Sequence, residues 1–472
     1  MAFHPSDVLI NASEGSAIPL HLLTEAALDG FLAAAPAWVG RMAAIGDFTA
    51  KPGQALVAPG LDDGPGLALF GLGAEAPADA AAFRALPAKL PPGDYRLTED
   101  GLDVPLERVA LGWALGAYAF DRYRMRKTDP RPRLVVGDGP LGDVRTIAQA
   151  CALTRDLINT PANDMGPVQL EMAARDLADA FGAAIEVVVG DDLLGAGYPA
   201  IHAVGRAADP TRAPRMIEIT WGDPAHPRLC VVGKGVVFDT GGLDLKPSSG
   251  MRLMKKDMGG AAHALGLGRM VMGAGLPVRL SILLPVVENA VSGAAMRPGD
   301  VLASRKGLTI EVGNTDAEGR LILADALTRA EELAADLTID LATLTGAARA
   351  ALGPQVIPFY TADDGLAADL ARASRASGDP LWRLPLWAGY EPSLDSDIAD
   401  IKNDPDAWAQ AGSVTAALFL QRFAPKPTAA GGGAWVHLDI FAWNPRGQPG
   451  SPSGAEAQGV RALFALLKDR YV

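Results

Sequence analysis

The sequence predicts an α/β protein with two domains. A small N-terminal α/β domain is expected over residues 1–140, and a larger α/β domain with a mixed central sheet over residues 141–472. The length of 472 residues exceeds that of one typical domain. Hydrophobic residues make up 49% of the chain, which is enough for sizeable cores. Short apolar runs alternate with stretches of helical periodicity, and this alternation is typical of α/β folds.

The first 140 residues contain the elements of the smaller domain. Apolar runs predict strands, and apolar residues at helical spacing predict helices. Strands are expected at Ala55–Gly60, Leu67–Gly71 and Arg133–Gly137, and helices at Leu20–Leu32 and Leu106–Phe120. A further helix, Val144–Leu157, is expected to connect the two domains.

The remaining residues show the same alternation of strands and helices, with longer loops. Strands are expected at Arg228–Phe238, Leu280–Glu288, Leu308–Gly313 and Leu337–Gly346, and helices at Gly260–Met272 and Leu321–Leu333. Strands that alternate with helices favour a partly parallel sheet, which collects functional residues at the carboxyl ends of its strands.

Charge and cysteine content exclude several classes of protein. The formal net charge of −13 makes nucleic acid or an anionic membrane an unfavourable main partner. The cysteines, Cys151 and Cys230, cannot build a disulfide framework and are expected to be reduced core residues. No lysine or arginine precedes Arg41, and no apolar segment is long enough to span a bilayer. These features predict a soluble cytoplasmic protein.

Two carboxylates and an arginine stand on alternate residues in the stretch "VGNTDAEGRLILADAL". In an extended segment, Asp316, Glu318 and Arg320 would point to the same side. Two close carboxylates cannot both ionise comfortably without a partner. The crowded carboxylates therefore need a partner that balances their charge.

The stretch Val232–Gly260 carries a second set of charged residues. Taken singly, Lys234, Asp239, Lys246 and Asp257 fit ordinary roles as solvated lysines, a turn former and a helix cap. Lys234 and Asp239, however, flank the end of an apolar strand, where α/β sheets place their ligands. If this strand end adjoins the Asp316 stretch, four carboxylates converge, and two divalent cations would balance their charge.

These stretches resemble the leucyl aminopeptidase family, the M17 peptidases that use two metal ions. The matching motifs are "VGKGVVFDTGG", "LKP", "KKDMGGAA", "NTDAEGRLILADAL", "TLTGAARAALG" and "HLDIFAW", within residues 150–445. The resemblance implies that residues 141–472 form a catalytic di-metal aminopeptidase domain. It also implies peptide substrates with a free N-terminus and assembly into a homohexamer.

The resemblance assigns roles to the charged residues. Asp239 and Glu318 would bridge the two metals, Lys234 and Asp257 would complete the tighter site, and Asp316 the more exchangeable one. A ligand set of oxygens and one amine is compatible with zinc or manganese, and also with magnesium or cobalt. His263 and His437 lie in helical and apolar stretches and are expected to be packed residues.

The family also implies a mechanism, in which a hydroxide activated by both metals attacks the first peptide bond and releases the N-terminal amino acid. Lys246 would stabilise the oxyanion, and Arg320 would hold a bicarbonate ion that acts as general base. The pocket for the first side chain would be shaped by Met254, Thr343, Leu344 and Gly346, for which ordinary core packing is the alternative.

Two other functions fit parts of the pattern. A two-metal phosphoesterase would use the same carboxylates, with Lys246 and Arg320 binding phosphate. A non-catalytic regulatory or DNA-contacting protein could also be built on a peptidase scaffold. The phosphoesterase commonly adds histidine ligands, which are not placed for it here, and a non-catalytic scaffold should have lost metal ligands. The aminopeptidase is therefore the leading hypothesis.

Overall fold

The computed structural model describes residues 4–60, 65–77, 79–98, 104–124, 131–405, 410–427 and 432–472. The chain divides into two compact units, one of Met1–Ala152 with Asn444–Gly454 and one of Leu153–Trp443 with Ala455–Val472. Both units mix helices with sheet, so the predicted α/β class with two domains is confirmed. The boundary after residue 140 stays a prediction.

The first unit contains a six-stranded sheet in the order β1-β6-β5-β2-β4-β3. Its strands are β1 Leu9–Ile10, β2 Ile18–Thr24, β3 Ala55–Pro59, β4 Pro65–Gly73, β5 Gly93–Leu97 and β6 Pro132–Val135. Its helices are α1 Glu25–Ala34, α2 Ala37–Ile45, α3 Leu86–Lys89 and α4 Leu106–Ala117; the long helix α5, Val144–Asn159, contains the division between the units. Neighbouring strands are parallel except β3 and β4.

The helix predicted over Leu20–Leu32 was wrong in its first part. Strand β2 takes these leucines into the sheet, where it pairs with both β4 and β5. Helix α1 begins only at Glu25, after Thr24 has accepted a hydrogen bond from the backbone N–H of Ala27 at 3.3 Å. An apolar run this short is compatible with both the helical and the strand period, and pairing with two neighbouring strands makes it a strand.

The second unit is built on a mixed sheet in the order β16-β15-β18-β14-β9-β11-β8-β7, with β10 paired to β11. Its strands are β7 Ala184–Val189, β8 Arg215–Trp221, β9 Arg228–Gly233, β10 Gly235–Asp239, β11 Arg279–Asn289, β12 Val301–Ala303, β13 Thr309–Glu311, β14 Leu337–Ala342, β15 Ile357–Tyr360, β16 Leu381–Arg383, β17 Ile401–Lys402 and β18 Ala434–Asp439. Strands β12, β13 and β17 form a separate small sheet, and β19 Trp443–Asn444 pairs with β20 Gly454–Ala455.

The helices of this unit cover the mixed sheet. They are α6 Pro167–Phe181, α7 Asp192–Gly195, α8 Pro199–Gly205, α9 Ser248–Met251, α10 Gly259–Gly273, α11 Glu318–Glu332, α12 Gly346–Leu352, α13 Asp364–Ser377, α14 Gly412–Gln421 and α15 Val460–Tyr471. Helices α10 and α11 are buried over most of their length.

Two predicted strands end earlier than the sequence suggested. Lys234 interrupts the run Arg228–Phe238, because its N–H bonds the carbonyl of Leu341 and its carbonyl accepts from the N–H of Ala261. The run Leu337–Gly346 leaves the sheet at Ala342, before helix α12 begins. Both interruptions lie at the carboxyl edge of parallel strands, where ligands bind in such sheets.

The buried core contains the residues that the sequence placed there. Cys151 and Cys230 are buried, and neither forms a disulfide within the described residues. His263 is fully buried in α10, and the N–H of Gln458 donates to its Nε2. His437 is fully buried and hydrogen-bonds Asp340 on the neighbouring strand. In the described ranges, no helix combines the length and the apolarity needed to cross a bilayer.

Asp325, a buried carboxyl group in α11, should make stability depend on pH. It accepts hydrogen bonds from the N–H groups of Ala200, Ile201 and Arg305. Burial nevertheless raises its pKa from 3.8 to about 7. A raised folded-state pKa gives stability that is complete below about pH 4 and is lost as the pH rises through 7.

We therefore expect the urea midpoint of metal-free protein to fall between pH 5 and pH 8. The fall should be smaller in Asp325→Asn, because an amide has no proton to lose. Urea titrations followed by circular dichroism at the two pH values measure this difference. An equal fall in both proteins would show that Asp325 is not the titrating group.

Candidate metal centre

The site lies at the carboxyl edge of the central sheet. Lys234 stands between β9 and β10, and Asp239 is the last residue of β10. Thr343 directly follows β14, which is parallel to β9. Parallel strands end at one edge, so the sheet brings these residues together although they are far apart in the chain.

Helix ends and a loop supply the other carboxylates. Asp257 lies in a short 3-10 turn, Met254–Met258, just before α10. Glu318 is the first residue of α11, where the positive end of the helix dipole favours an anion, and Asp316 precedes it in the loop. Asp239, Asp316 and Glu318 each offer an oxygen within 4.8 Å of the other two. Such a spacing of carboxylate oxygens suits a divalent cation.

Two lysines neutralise the carboxylates in this metal-free structure. The Nζ atom of Lys234 lies 2.8 Å from Asp257 Oδ2 and 3.0 Å from Glu318 Oε1. The Nζ atom of Lys246 lies 2.9 Å from Asp239 Oδ2 and also pairs with Asp316. Each ammonium group therefore stands between two carboxylates, which is a position that a cation could take.

The pKa values reflect this crowding. Burial and the neighbouring Asp239 raise the pKa of Glu318 well above its ordinary value, and the same two causes raise that of Asp316 to about 6. Burial by itself would lower the pKa of Lys234, but the surrounding carboxylates of Asp257, Glu318 and Asp239 outweigh it and raise this pKa.

The donor set fits divalent metal ions. Glu318 Oε2 is buried and has no hydrogen-bond partner among the described residues. Four carboxylates with only two ammonium groups leave an excess of negative charge. Hard cations with oxygen ligands would satisfy both features.

Asp239 is held in place by residues that the sequence did not indicate. Asn289, at the end of β11, donates from Nδ2 to Asp239 Oδ1 at 2.8 Å and to the carbonyl of Thr315 at 3.1 Å. The N–H of Gly241 donates to the same Asp239 oxygen at 2.8 Å. Gly241 has φ +89°, which a side chain rarely adopts, so the turn after β10 needs glycine here. An asparagine at a strand end carries no sequence signal for this role.

The orientation inferred for Glu318 and Arg320 from alternation was wrong. Both residues lie in the first turn of α11. Side chains two positions apart in a helix point to different sides, so Glu318 and Arg320 do not face the same way. Arg320 is buried and donates from Nη1 to the carbonyl of Asn403, while its Nε atom has no partner among the described residues. Burial lowers the pKa of Arg320, and the nearby carboxylates of Asp404 and Glu318 oppose this. Strand β13, which precedes this segment, belongs to the small sheet.

The four residues expected to shape a pocket lie on two segments beside the metal centre. Met254 opens the turn that carries Asp257. Thr343 contacts the centre directly, because its carbonyl accepts from Lys234 Nζ at 3.0 Å and its Oγ1 donates to Asp257 Oδ1 at 2.8 Å. Leu344 is half-buried, and the exposed Gly346 begins α12. Thr343 is thus a part of the metal centre as well as a candidate pocket residue.

Asp439, a further residue that the sequence did not indicate, anchors the loop of Thr343. It is the last residue of β18 and is buried. One carboxylate oxygen accepts from the N–H groups of Leu344 and Thr345, and the other from the hydroxyl groups of Thr345 and Ser413. All four bonds are 2.7–3.0 Å long. Asp439 therefore fixes the loop that in turn holds Lys234 and Asp257.

Asp439→Asn should weaken metal binding and lower kcat/KM by roughly 10- to 100-fold, as is typical when a partner of a metal ligand is lost. The amide places a donor where the carboxylate now accepts, so the loop shifts away from Lys234. Competition with a chelating dye measures the Mn²⁺ affinity. Asp340→Asn, on the neighbouring strand β14, is the matched control because Asp340 bonds Trp435 and His437 instead. Wild-type Mn²⁺ affinity in Asp439→Asn would contradict the anchoring role.

Comparison with known protein families identifies relatives of both parts of the chain. Residues 152–464 match the family model described as the cytosol aminopeptidase family, catalytic domain. Residues 18–136 match the M17 aminopeptidase N-terminal domain. A probable cytosol aminopeptidase from Syntrophotalea carbinolica is 40% identical, with 89% of each chain covered. Another, from Leifsonia xyli subsp. xyli, is 37% identical and covers 98% of this chain and 96% of its own.

Solved structures agree with these matches. A crystal structure of the cytosol aminopeptidase from Coxiella burnetii is 41% identical and superposes with a TM-score of 0.91, covering 98% of this chain and 99% of that one. The bottromycin maturation enzyme BotP in complex with Mn is 35% identical and superposes with a TM-score of 0.85, over 97% of this chain and 100% of that one.

Proposed function

This chain belongs to the cytosol aminopeptidase family of M17 peptidases, and we propose that the candidate metal centre is its two-metal catalytic site. The chain is a metallo-exopeptidase, which removes N-terminal amino acids from peptides. Family membership favours this reaction over the phosphoesterase and over the non-catalytic scaffold. The observation that carries the proposal is the convergence of Asp239, Asp316 and Glu318 within 4.8 Å.

The ligands divide between two metal positions. Asp239 and Glu318 would take part in holding both ions, as the family resemblance implies. Glu318 now pairs with Lys234 at 3.0 Å, and Asp239 pairs with Lys246 at 2.9 Å. Lys234 and Asp257 would complete the buried, tighter position, and Asp316 the more exposed one. The exposed fractions of the side chains support this assignment, because Lys234 is 3% exposed and Asp316 is 32% exposed.

When bound, the two ions would polarise the first peptide carbonyl and lower the pKa of a water molecule between them. Manganese is the first candidate, since the similar BotP structure contains Mn. Zinc, magnesium and cobalt are also compatible with a set of oxygen ligands and one amine. Lys234 must lose its proton to serve as a ligand, and the positive charge of the ions favours that loss.

Lys246 would stabilise the negative charge that develops on the carbonyl oxygen. Burial by itself would lower the pKa of Lys246, but Asp239 and Asp316 outweigh it and raise the pKa, so the group stays charged at neutral pH. Its side chain is 15% exposed and borders the more open half of the site. A charged donor in such a shielded position acts more strongly than it would in water.

Arg320 would hold a bicarbonate ion that serves as general base. Its buried Nε atom lacks a partner among the described residues, and its planar guanidinium group suits a carboxylate-like anion. This role supplies a general base, which is otherwise lacking because every carboxylate at the centre is assigned to the metals. Met254, Thr343, Leu344 and Gly346 would receive the side chain of the N-terminal residue.

A homohexamer in the cytoplasm is proposed as the working form. The relatives are named cytosol aminopeptidases, and the family resemblance implies six subunits. Analytical ultracentrifugation tests the assembly, since each chain has a mass of 48.9 kDa. Sedimentation as a monomer at micromolar concentration would contradict it.

Hydrolysis of leucine p-nitroanilide by purified protein tests the proposed function. The protein is first treated with a chelator and then supplied with Mn²⁺ or Zn²⁺. Activity should disappear on chelation and return with metal, because the ions would polarise the carbonyl and lower the pKa of the attacking water. Folded, metal-loaded protein that cleaves no amino-acid p-nitroanilide with any of the four metals would overturn the proposal.

A further inference from the structure

Lys256, next to the proposed metal ligand Asp257, is a largely buried lysine that forms no ion pair within the described residues. Its exposed fraction is 7%, and its Nζ atom has no hydrogen-bond acceptor and no ion-pair partner among the described residues. The neighbouring Lys255, in contrast, donates to the carbonyl of Asn159 at 2.6 Å. An ammonium group on a side chain that is so largely enclosed is less screened by water than one at an exposed surface, so Lys256 is well placed to bind an anion that comes from outside the chain.

A second cation shares the surroundings of Lys256. The Nζ atom of Lys256 lies 5.0 Å from the ring centroid of Phe441, and the guanidinium carbon of Arg349 lies 4.8 Å from the same centroid. Arg349 likewise has no ion-pair partner among the described residues. The ring attracts both cations, and Arg349 is exposed, so an anion that reaches the ring could meet both of them and would reduce their mutual repulsion.

The acidic residues nearest to this pair are committed to other partners. Asp257 pairs with Lys234 through Oδ2 and accepts from Thr343 through Oδ1. Asp439 already accepts four hydrogen bonds from the loop and from Ser413. The described residues therefore provide no free carboxylate for Lys256 and Arg349.

Both cations lie on the segments that are proposed to bind the substrate. Lys256 belongs to the turn Met254–Met258, which begins with the pocket residue Met254. Arg349 lies in α12, which begins with the pocket residue Gly346. The pair thus borders the pocket for the first side chain of the peptide.

We propose that Lys256 and Arg349 form a carboxylate subsite that selects an acidic side chain on the N-terminal residue, a role that rests on the aminopeptidase function proposed above. The ammonium group and the planar guanidinium group would each donate to the carboxylate. The ring of Phe441 would pack beside the methylene groups of the same side chain. Peptides that begin with glutamate or aspartate are the substrate class.

The test compares p-nitroanilides of glutamate, glutamine and leucine on protein loaded with Mn²⁺. These compounds have no peptide C-terminus, so the only carboxylate is that of the side chain. The glutamate compound should have a kcat/KM at least about tenfold above that of the glutamine compound, as for a buried charge-assisted hydrogen bond. Lys256→Met should reduce this ratio to about one, and Arg349→Met should reduce it partly.

Lys255→Met is the matched control, since it removes the same charge from the adjacent residue and should keep the preference for glutamate. A second arm compares Leu-Gly with Leu-Gly-amide in wild type and in Lys256→Met. If Lys256 governs this difference and not the glutamate preference, the subsite binds the C-terminal carboxylate and the assignment is overturned.

The remaining outcomes separate the subsite from the proposed function. Cleavage of the leucine compound without a preference for glutamate overturns the subsite and leaves the aminopeptidase function intact. A preference that survives in both Lys256→Met and Arg349→Met also overturns it. No cleavage of any compound overturns the proposed function and the subsite with it.

Discussion

Glu318→Gln is expected to lower kcat/KM for leucine p-nitroanilide by roughly a thousandfold or more. The change removes one of four carboxylates from the metal centre and leaves its size almost unchanged. In metal-free protein, burial and the neighbouring Asp239 raise the pKa of Glu318 well above its ordinary value. A glutamine therefore resembles the protonated acid of the metal-free state, and it should fold equally well.

Two measurements on Glu318→Gln separate a lost metal from a damaged fold. The melting temperature without metal should be close to that of the wild type, while the increase on adding Mn²⁺ should be lost. Glu331→Gln is the matched control, because it lies in the same helix and pairs at the surface with Lys306 at 2.9 Å. Metal-induced stabilisation of Glu318→Gln equal to that of the wild type would show that Glu318 is not a ligand.

Gly319→Ala should be the second most damaging of these substitutions, although it adds only one methyl group. A Cβ atom at Gly319 would lie 2.4 Å from Cε and 2.6 Å from Nζ of Lys234. The helix backbone cannot move easily, so the lysine side chain must leave its place between Asp257 and Glu318. We expect the tighter metal position to lose affinity and kcat/KM to fall by about a hundredfold.

Isothermal titration with Mn²⁺ measures the affinity of both positions in Gly319→Ala. Gly195→Ala is the control, because that glycine also lies in a helix and a Cβ atom there would meet nothing within 4 Å. The control should bind metal as the wild type does. If Gly319→Ala also binds two ions with wild-type affinity, Lys234 is not a ligand of the tighter position.

At the proposed metal centre, lysine side chains and metal ions would compete for the same carboxylates. Lys234 and Lys246 each stand between two carboxylates, where they balance negative charge. Metal ions carry more charge and would take over this role at Lys234. Lys246 would then be free to act on the substrate.

The sequence by itself determined the α/β class and the identity of the charged residues. Apolar runs with strand and helix periods are local properties, so strands such as β11 and helices such as α10 could be predicted from them. The spacing of Lys234, Asp239, Lys246 and Asp257 was enough for a family resemblance, and the family matches bear that resemblance out.

Only the tertiary structure decided which partners hold these residues. Asn289 and Asp439 end strands that are distant in sequence from the ligands they support, and no local pattern marks them. The segment Leu20–Thr24 became a strand because two neighbouring strands pair with it. Glu318 and Arg320 point apart because the helix begins one turn earlier than alternation assumed. For the two strand-end residues and for Leu20–Thr24, the deciding contact joins residues far apart in the chain, and local periodicity carries no information about such contacts.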